Sequence, residues 1–160
     1  MKIILPLLLI SLLFFSCSKK EEVEPVFTFT LEDVQANIIG TWIAVSSKIV
    51  YYDNEGKVVH TIEHTSVSEN PYVFGPENVN YSIQTPDRQV DYVQPYAVIE
   101  VEDHLFLTID QRFSKRYIHI IPKSNTEMIW QNELINMPYY KDDTNHVSAR
   151  SVTSVTRRKK

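Results

Sequence analysis

The chain predicts an all-β domain: an antiparallel up-and-down barrel, preceded by one short helix and, ahead of both, a lipoprotein signal peptide. Three observations carry that expectation. After Gly40 the sequence is rich in β-branched and aromatic residues broken at short intervals by turn residues, and helical periodicity disappears. The strand-like runs follow one another through short connections, which makes sequence neighbours antiparallel partners, and closing such a meander removes its exposed edges. Finally, the only cysteine, Cys17, stands directly after an apolar run. A two-sheet sandwich is the alternative architecture.

Residues 1–16 have the parts of a bacterial export signal in order: Lys2 near the positive start, the apolar run Ile3 to Phe15, then the small residue Ser16 before Cys17. Cleavage there would make Cys17 the first residue and the site of lipid attachment. The run is shorter than the roughly 20 residues a spanning helix needs, which argues against a retained transmembrane segment. Phe14 and Phe15 depart from the usual lipobox, which prefers Leu and a small residue there. Residues 17–27 form a tether: Lys19, Lys20, Glu21, Glu22, Glu24 and Pro25 give it no apolar area to bury.

The folded domain is expected over 28–160. Thr30 can cap a helix, Asp33 stands three residues on, and Gly40 can end it. A first strand then runs from about Thr41 to Tyr52 and turns at Asp53-Asn54-Glu55-Gly56 into a second, from Lys57 to Thr65. Short strands follow at Tyr72–Phe74 and Val79–Gln84. Two further hairpins pair Tyr96–Val101 with Leu105–Asp110, and Arg116–Ile121 with Glu127–Asn132, and a last strand lies within His146–Arg157. The count comes to about eight or nine strands.

Composition narrows the function classes. With 43% apolar residues the domain can build a core, and with no cysteine beyond Cys17 it must do so without disulfides or cysteine metal sites. A net charge of -4 gives no general attraction to nucleic acid, although Arg157-Arg158-Lys159-Lys160 is locally basic. Three glycines in the whole chain exclude a phosphate-cradling glycine loop.

Gly40-Thr41-Trp42, a Gly-x-Trp after a helical turn at the start of the first strand, resembles the lipocalin and lipocalin-like barrels. The Asp53–Gly56 turn, Tyr72 to Asn78, Met128-Ile129-Trp130 and the closing Ser154-Val155-Thr156-Arg157 resemble lipocalin-like lipoproteins of Bacteroidetes-type bacteria. The resemblance spans most of 30–160. It implies that Gly40, Trp42 and Arg157 form a structural barrel floor, with the Trp42 ring stacked against the Arg157 guanidinium. Lys19-Lys20-Glu21-Glu22 resembles the stretch that sends some such lipoproteins to the cell surface. The expected location is the outer membrane, lipid-anchored, on its periplasmic face or at the cell surface.

No residue pattern marks an enzyme, a cofactor or a metal site. His60 and His64 flank Glu63, but in a strand residues four apart are separated by more than about 10 Å, and these read as exposed strand histidines. Glu100, Glu102 and Asp103 read as solvated charges beside a hairpin tip. His104 and His119 have no partner in sequence that would mark a triad. The aromatic content, nine Tyr, seven Phe and two Trp, suits a pocket for a mainly apolar molecule. Strand alternation offers Tyr117, His119, Met128 and Trp130 as its lining. The expected function is therefore a lipid-anchored barrel binding a small, mainly apolar ligand. The alternative is a solid barrel that contacts a protein or glycan partner through the loops Gln84 to Pro95 and Asn136 to His146, with Tyr92, Tyr96, Tyr139 and Tyr140 exposed at their tips.

Overall fold

The computed structural model describes residues 29–67 and 70–160. The expected signal peptide, Cys17 and the tether lie outside the described residues. The single helix, α1 (Leu31–Ile38), opens with the expected capping box. The Asp33 backbone N–H donates to Thr30 Oγ1 at 3.2 Å, and the Thr30 N–H donates back to Asp33 Oδ2 at 2.9 Å. Those bonds from the Thr30 backbone and hydroxyl hold the Asp33 carboxyl below its usual range. At the other end, orphan carbonyls that a helix C-terminus must satisfy are met by side chains. Trp42 Nε1 donates to the Ile38 carbonyl at 2.7 Å, and Lys159 Nζ donates to that of Asn37 at 2.9 Å. Gln35 Nε2 bonds the Val98 carbonyl at 3.1 Å and ties the helix to the sheet.

The remaining elements are strands: β1 (Gly40–Tyr52), β2 (Val58–His64), β3 (Tyr72–Phe74), β4 (Asn78–Gln84), β5 (Gln89–Val101) and β6 (His104–Gln111), then β7 (Ser114–Ser124), β8 (Glu127–Ile135), β9 (Pro138–Lys141), β10 (Thr144–Val147) and β11 (Arg150–Lys159). The main sheet runs β11-β8-β7-β6-β5-β4-β3-β1, and β11 pairs with β1 again, so eight antiparallel strands close into a barrel. The sandwich alternative is excluded. β2 and β3 lie on the same edge of β1, β2 against Ser47–Tyr52 and β3 against Gly40–Trp42, so this part of the wall is one strand in two pieces. β4 bonds to β3 but not to β2, which leaves the wall interrupted beside the upper half of β4.

The two ends of the barrel differ. At the α1 end, Trp42, Phe74, Val79, Leu107, Ile118 and Ile120 are each at most 2% exposed and pack with Val34 and Ile38 of the helix. This end is solid and sealed. The opposite end carries the β4–β5 and β6–β7 turns, the β1–β2 connection and a small separate hairpin, β9–β10.

Three expectations need correction. β5 begins at Gln89, so Gln84 to Pro95 is not a loop but strand on both sides of a short turn, tied by Thr85 N–H to the Arg88 carbonyl at 2.8 Å. The stretch Asn136 to His146 folds into β9–β10 instead of looping freely, while the last strand starts within the expected span, at Arg150, and runs on to Lys159. Of the four tyrosines expected at exposed loop tips, only Tyr140 is exposed. Tyr92 stacks on Tyr81 at 5.2 Å, Tyr139 on Tyr51 at 4.9 Å, and the Tyr96 hydroxyl donates to the Gly75 carbonyl at 2.7 Å.

With so few glycines the chain makes tight turns from acidic residues. Glu102 and Asp103, and again Asp142 and Asp143, occupy consecutive positive-φ positions of between 50° and 62°. Two positive φ values in succession are what the twist-compatible hairpin turn requires, and Asp tolerates them better than most side chains. The expected hairpin tip at Glu102-Asp103 is thereby found, its carboxylates solvated.

Candidate functional site

Above the solid core the barrel interior opens into a cavity of about 590 Å³. Its base is an aromatic layer. Tyr72 of β3 stacks on Tyr81 of β4 at 4.9 Å and meets Trp130 of β8 edge-on at 4.9 Å, while Phe74 packs beneath against Trp130 at 6.1 Å. The Arg157 guanidinium, only 4% exposed, lies over both rings, 4.1 Å from the Trp130 centroid and 4.5 Å from that of Tyr72. Cation–π attraction between a desolvated guanidinium and two rings fixes this layer.

The walls rise from inward positions of the same strands. Asn132 stands two residues above Trp130 on β8, Val155 and Thr153 two and four residues from Arg157 on β11, and Arg116 enters from β7. Asn70, Ser82, Ile83 and Gln84 border the cavity where the wall is interrupted, and Asn70 Nδ2 donates across it to the Ser82 carbonyl at 3.3 Å. Burial pushes the Tyr81 phenol up, while Gln111 and the charge of Arg116 pull it down, so Arg116 acts on the barrel interior. Among the described residues lining the cavity there are two arginines and no carboxylate. Arg116 has no carboxylate within ion-pair distance among the described residues.

The expected lining divides in two. Met128 and Trp130 are 4% and 3% exposed and face inward, but only Trp130 lines the cavity, Met128 being packed in the core. Tyr117 and His119 do not line the interior, because β7 turns Arg116, Ile118 and Ile120 inward and the alternate residues, Tyr117 and His119 among them, outward. Burying the aliphatic pair is the more favourable choice, since neither a phenol nor an imidazole can be buried unpaired without cost. Tyr117 and His119 instead border a groove of about 550 Å³ on the outer face, with Phe106, Gln131 and Arg150. There His104 meets His119 edge-on at 5.1 Å. Burial lowers the His119 pKa, a hydrogen bond with Gln131 opposes it, and the neighbouring His104 lowers it further.

The barrel floor also needs correction. Trp42 is fully buried at the sealed end as expected, but Arg157 stacks on Trp130 and Tyr72, not on Trp42. The register is the reason: Trp42 faces Lys159 across the sheet, and Arg157 faces Ala44, just before a bulge between Ala44 and Ser46. Lys159, not Arg157, therefore serves the floor.

No family model, curated protein or solved structure matches this chain. The site therefore rests on its own geometry.

The histidines and loops complete the picture. His60 is not the exposed strand histidine expected: it packs against both Tyr51 at 5.8 Å and Tyr139 at 5.4 Å in a three-ring cluster, and His146 stacks on Tyr139 at 5.1 Å. Glu63 is held by Lys48 at 2.7 Å on the outer face, apart from His60. Arg116, Asn132 and Tyr72, three central members of the cavity, were missing from the lining expected of the sequence. Their signal was present in the alternation: Arg116 shares a face with Ile118 and Ile120, and Asn132 with Met128 and Trp130.

Proposed function

We propose that this protein is a lipid-anchored, lipocalin-like barrel of the outer membrane that binds a small, mainly apolar molecule in its upper cavity, without catalysing its conversion. The observation that carries the reading is a closed eight-stranded barrel, solid at one end, with an aromatic-based cavity of about 590 Å³ at the other. Eight strands leave an interior that either fills with side chains or holds one small ligand, and this interior does half of each. The volume lies in the range usual for small-molecule sites. Cys17 supplies the anchor and residues 17–27 the tether, on either the periplasmic face or the cell surface. Replacing Cys17 with Ser should abolish acyl labelling and membrane retention; unchanged labelling would overturn the anchor.

The ligand is tested by weighing the chain from Ser18 onward, which contains every helix and strand of the barrel, after exposure to a bacterial membrane extract. Native mass spectrometry should show a reproducible added mass that Trp130→Ala loses and Tyr117→Ala keeps, because Tyr117 lies outside. Loss with Tyr117→Ala alone would move the site to the outer groove.

A second reading, contact with a protein or glycan partner, is supported by the rim of the open end. Phe113, Ile135 and Val147 there are 89%, 71% and 69% exposed, and large apolar side chains left in solvent at that end suit a contact surface. A partner captured by the wild type but not by a Phe113→Ser, Ile135→Ser variant would favour it.

A further inference from the structure

The chemistry of the cavity wall narrows the ligand beyond its size. An apolar molecule alone leaves one feature without a purpose. It is Arg116, half-buried on the inward face of β7 where it lines the cavity, and without an acidic partner among the described residues. A guanidinium always carries its charge and presents a fork of donors, so an anion from outside the chain suits it.

Arg116 lies high on the wall: Trp130 at the aromatic base pairs with Ile120, four residues beyond Arg116 on β7, a separation of about 13 Å along the strand at 3.3 Å per residue. A ligand that spans from the base to Arg116 is elongated, with its charge toward the mouth. Its other end meets Trp130 and Val155, which line the cavity at one level of the barrel. Positive charge in a recessed, low-dielectric site raises the local concentration of anions and strengthens their binding.

We propose that the upper cavity takes a small, elongated molecule with an apolar end at the aromatic base and one oxyanion group, held at Arg116 near the mouth. This rests on the cavity being the binding site. Arginine presents a fork of donors that matches carboxylate, sulfonate and phosphate alike, so the oxyanion class follows from the site and its particular member does not.

The test compares two probes with the same aromatic body: anilinonaphthalene sulfonate, which carries the oxyanion, and phenylnaphthylamine, which lacks it. Binding to the chain from Ser18 onward is read as energy transfer from Trp130, with Trp130→Phe identifying that signal against Trp42. The sulfonate should bind about tenfold or more tightly than the amine, the worth of a charge-assisted hydrogen bond. Arg116→Gln should erase that preference and leave the amine's affinity unchanged. Equal binding of both probes, indifferent to Arg116→Gln, overturns the oxyanion class while the cavity reading stands. Absence of transfer from Trp130 with either probe overturns both.

Discussion

Trp42 links the helix, the floor and the core, so its removal is the most informative perturbation of the fold. Its ring is fully buried, and its indole N–H caps α1 by donating to the Ile38 carbonyl at 2.7 Å. Truncation to Ala removes a large aromatic from a packed core, a change that costs about 3 to 5 kcal/mol. It also strands a buried carbonyl, worth about 1 to 3 kcal/mol when no water reaches it. Trp42→Ala should therefore destabilise by about 4 to 6 kcal/mol, since the two losses overlap in part. Trp42→Phe keeps most of the ring and loses the hydrogen bond, and should cost about 1 to 3 kcal/mol. Guanidinium unfolding at constant m-value measures both, and amide exchange across Leu31–Ile38 should accelerate in each variant. A loss under about 1 kcal/mol for Trp42→Ala would refute the floor assignment, on the core-truncation scale. Equal losses for Ala and Phe would refute the packing half of the reasoning.

Other predictions follow from single positions. Gly40 has φ of 129°, and a Cβ there would approach Lys159 Cε to 2.7 Å. The lysine end can yield but the backbone cannot, so Gly40→Ala should cost about 1 to 3 kcal/mol by thermal or denaturant unfolding. Replacing Glu102-Asp103 by Asn-Gly, the residues best suited to two successive positive φ values, should raise stability by about 1 kcal/mol; a lower melting temperature would contradict the turn assignment. His119 is held below its ordinary pKa chiefly by burial, so the unfolded chain binds its proton more readily than the folded one. Stability should then rise with pH up to about 6.5 and level off above, and His119→Gln should flatten that rise in melting temperature.

The β-rich fold was legible because alternation survives wherever one face of a strand is buried. β6 and β7 show it plainly, with Leu105, Leu107 and Ile109, and Ile118 and Ile120, turned inward. The start of β5 escaped because its outward residues, Gln89, Asp91 and Pro95, resemble a loop, while the inward ones, Val90, Tyr92 and Gln94, are only half-buried at the wide end of the barrel. Residues 138–147 escaped for a related reason: β10 is exposed along its whole length, so no buried face imprints a period on it. Alternation put Met128 with Trp130 on one face of β8 and Tyr117 with His119 on one face of β7, but only Trp130 of the four lines the cavity. It left open which face of β7 turns inward, because both faces contain large side chains and only the competition for core volume separates them. The position of Arg157 depended on register, and a bulge between Ala44 and Ser46 shifts register in a way that no local pattern announces.

The central claim is that the space above the aromatic layer holds a small molecule. The chain contains two tryptophans, so its nitrogen–proton correlation spectrum carries two indole signals. One belongs to Trp42, bonded to the Ile38 carbonyl in the sealed floor, and the other to Trp130 at the base of the cavity. Titrating the chain from Ser18 onward with anilinonaphthalene sulfonate should move the Trp130 indole signal and leave that of Trp42 in place. A Trp130 signal unmoved at saturating probe would contradict the account.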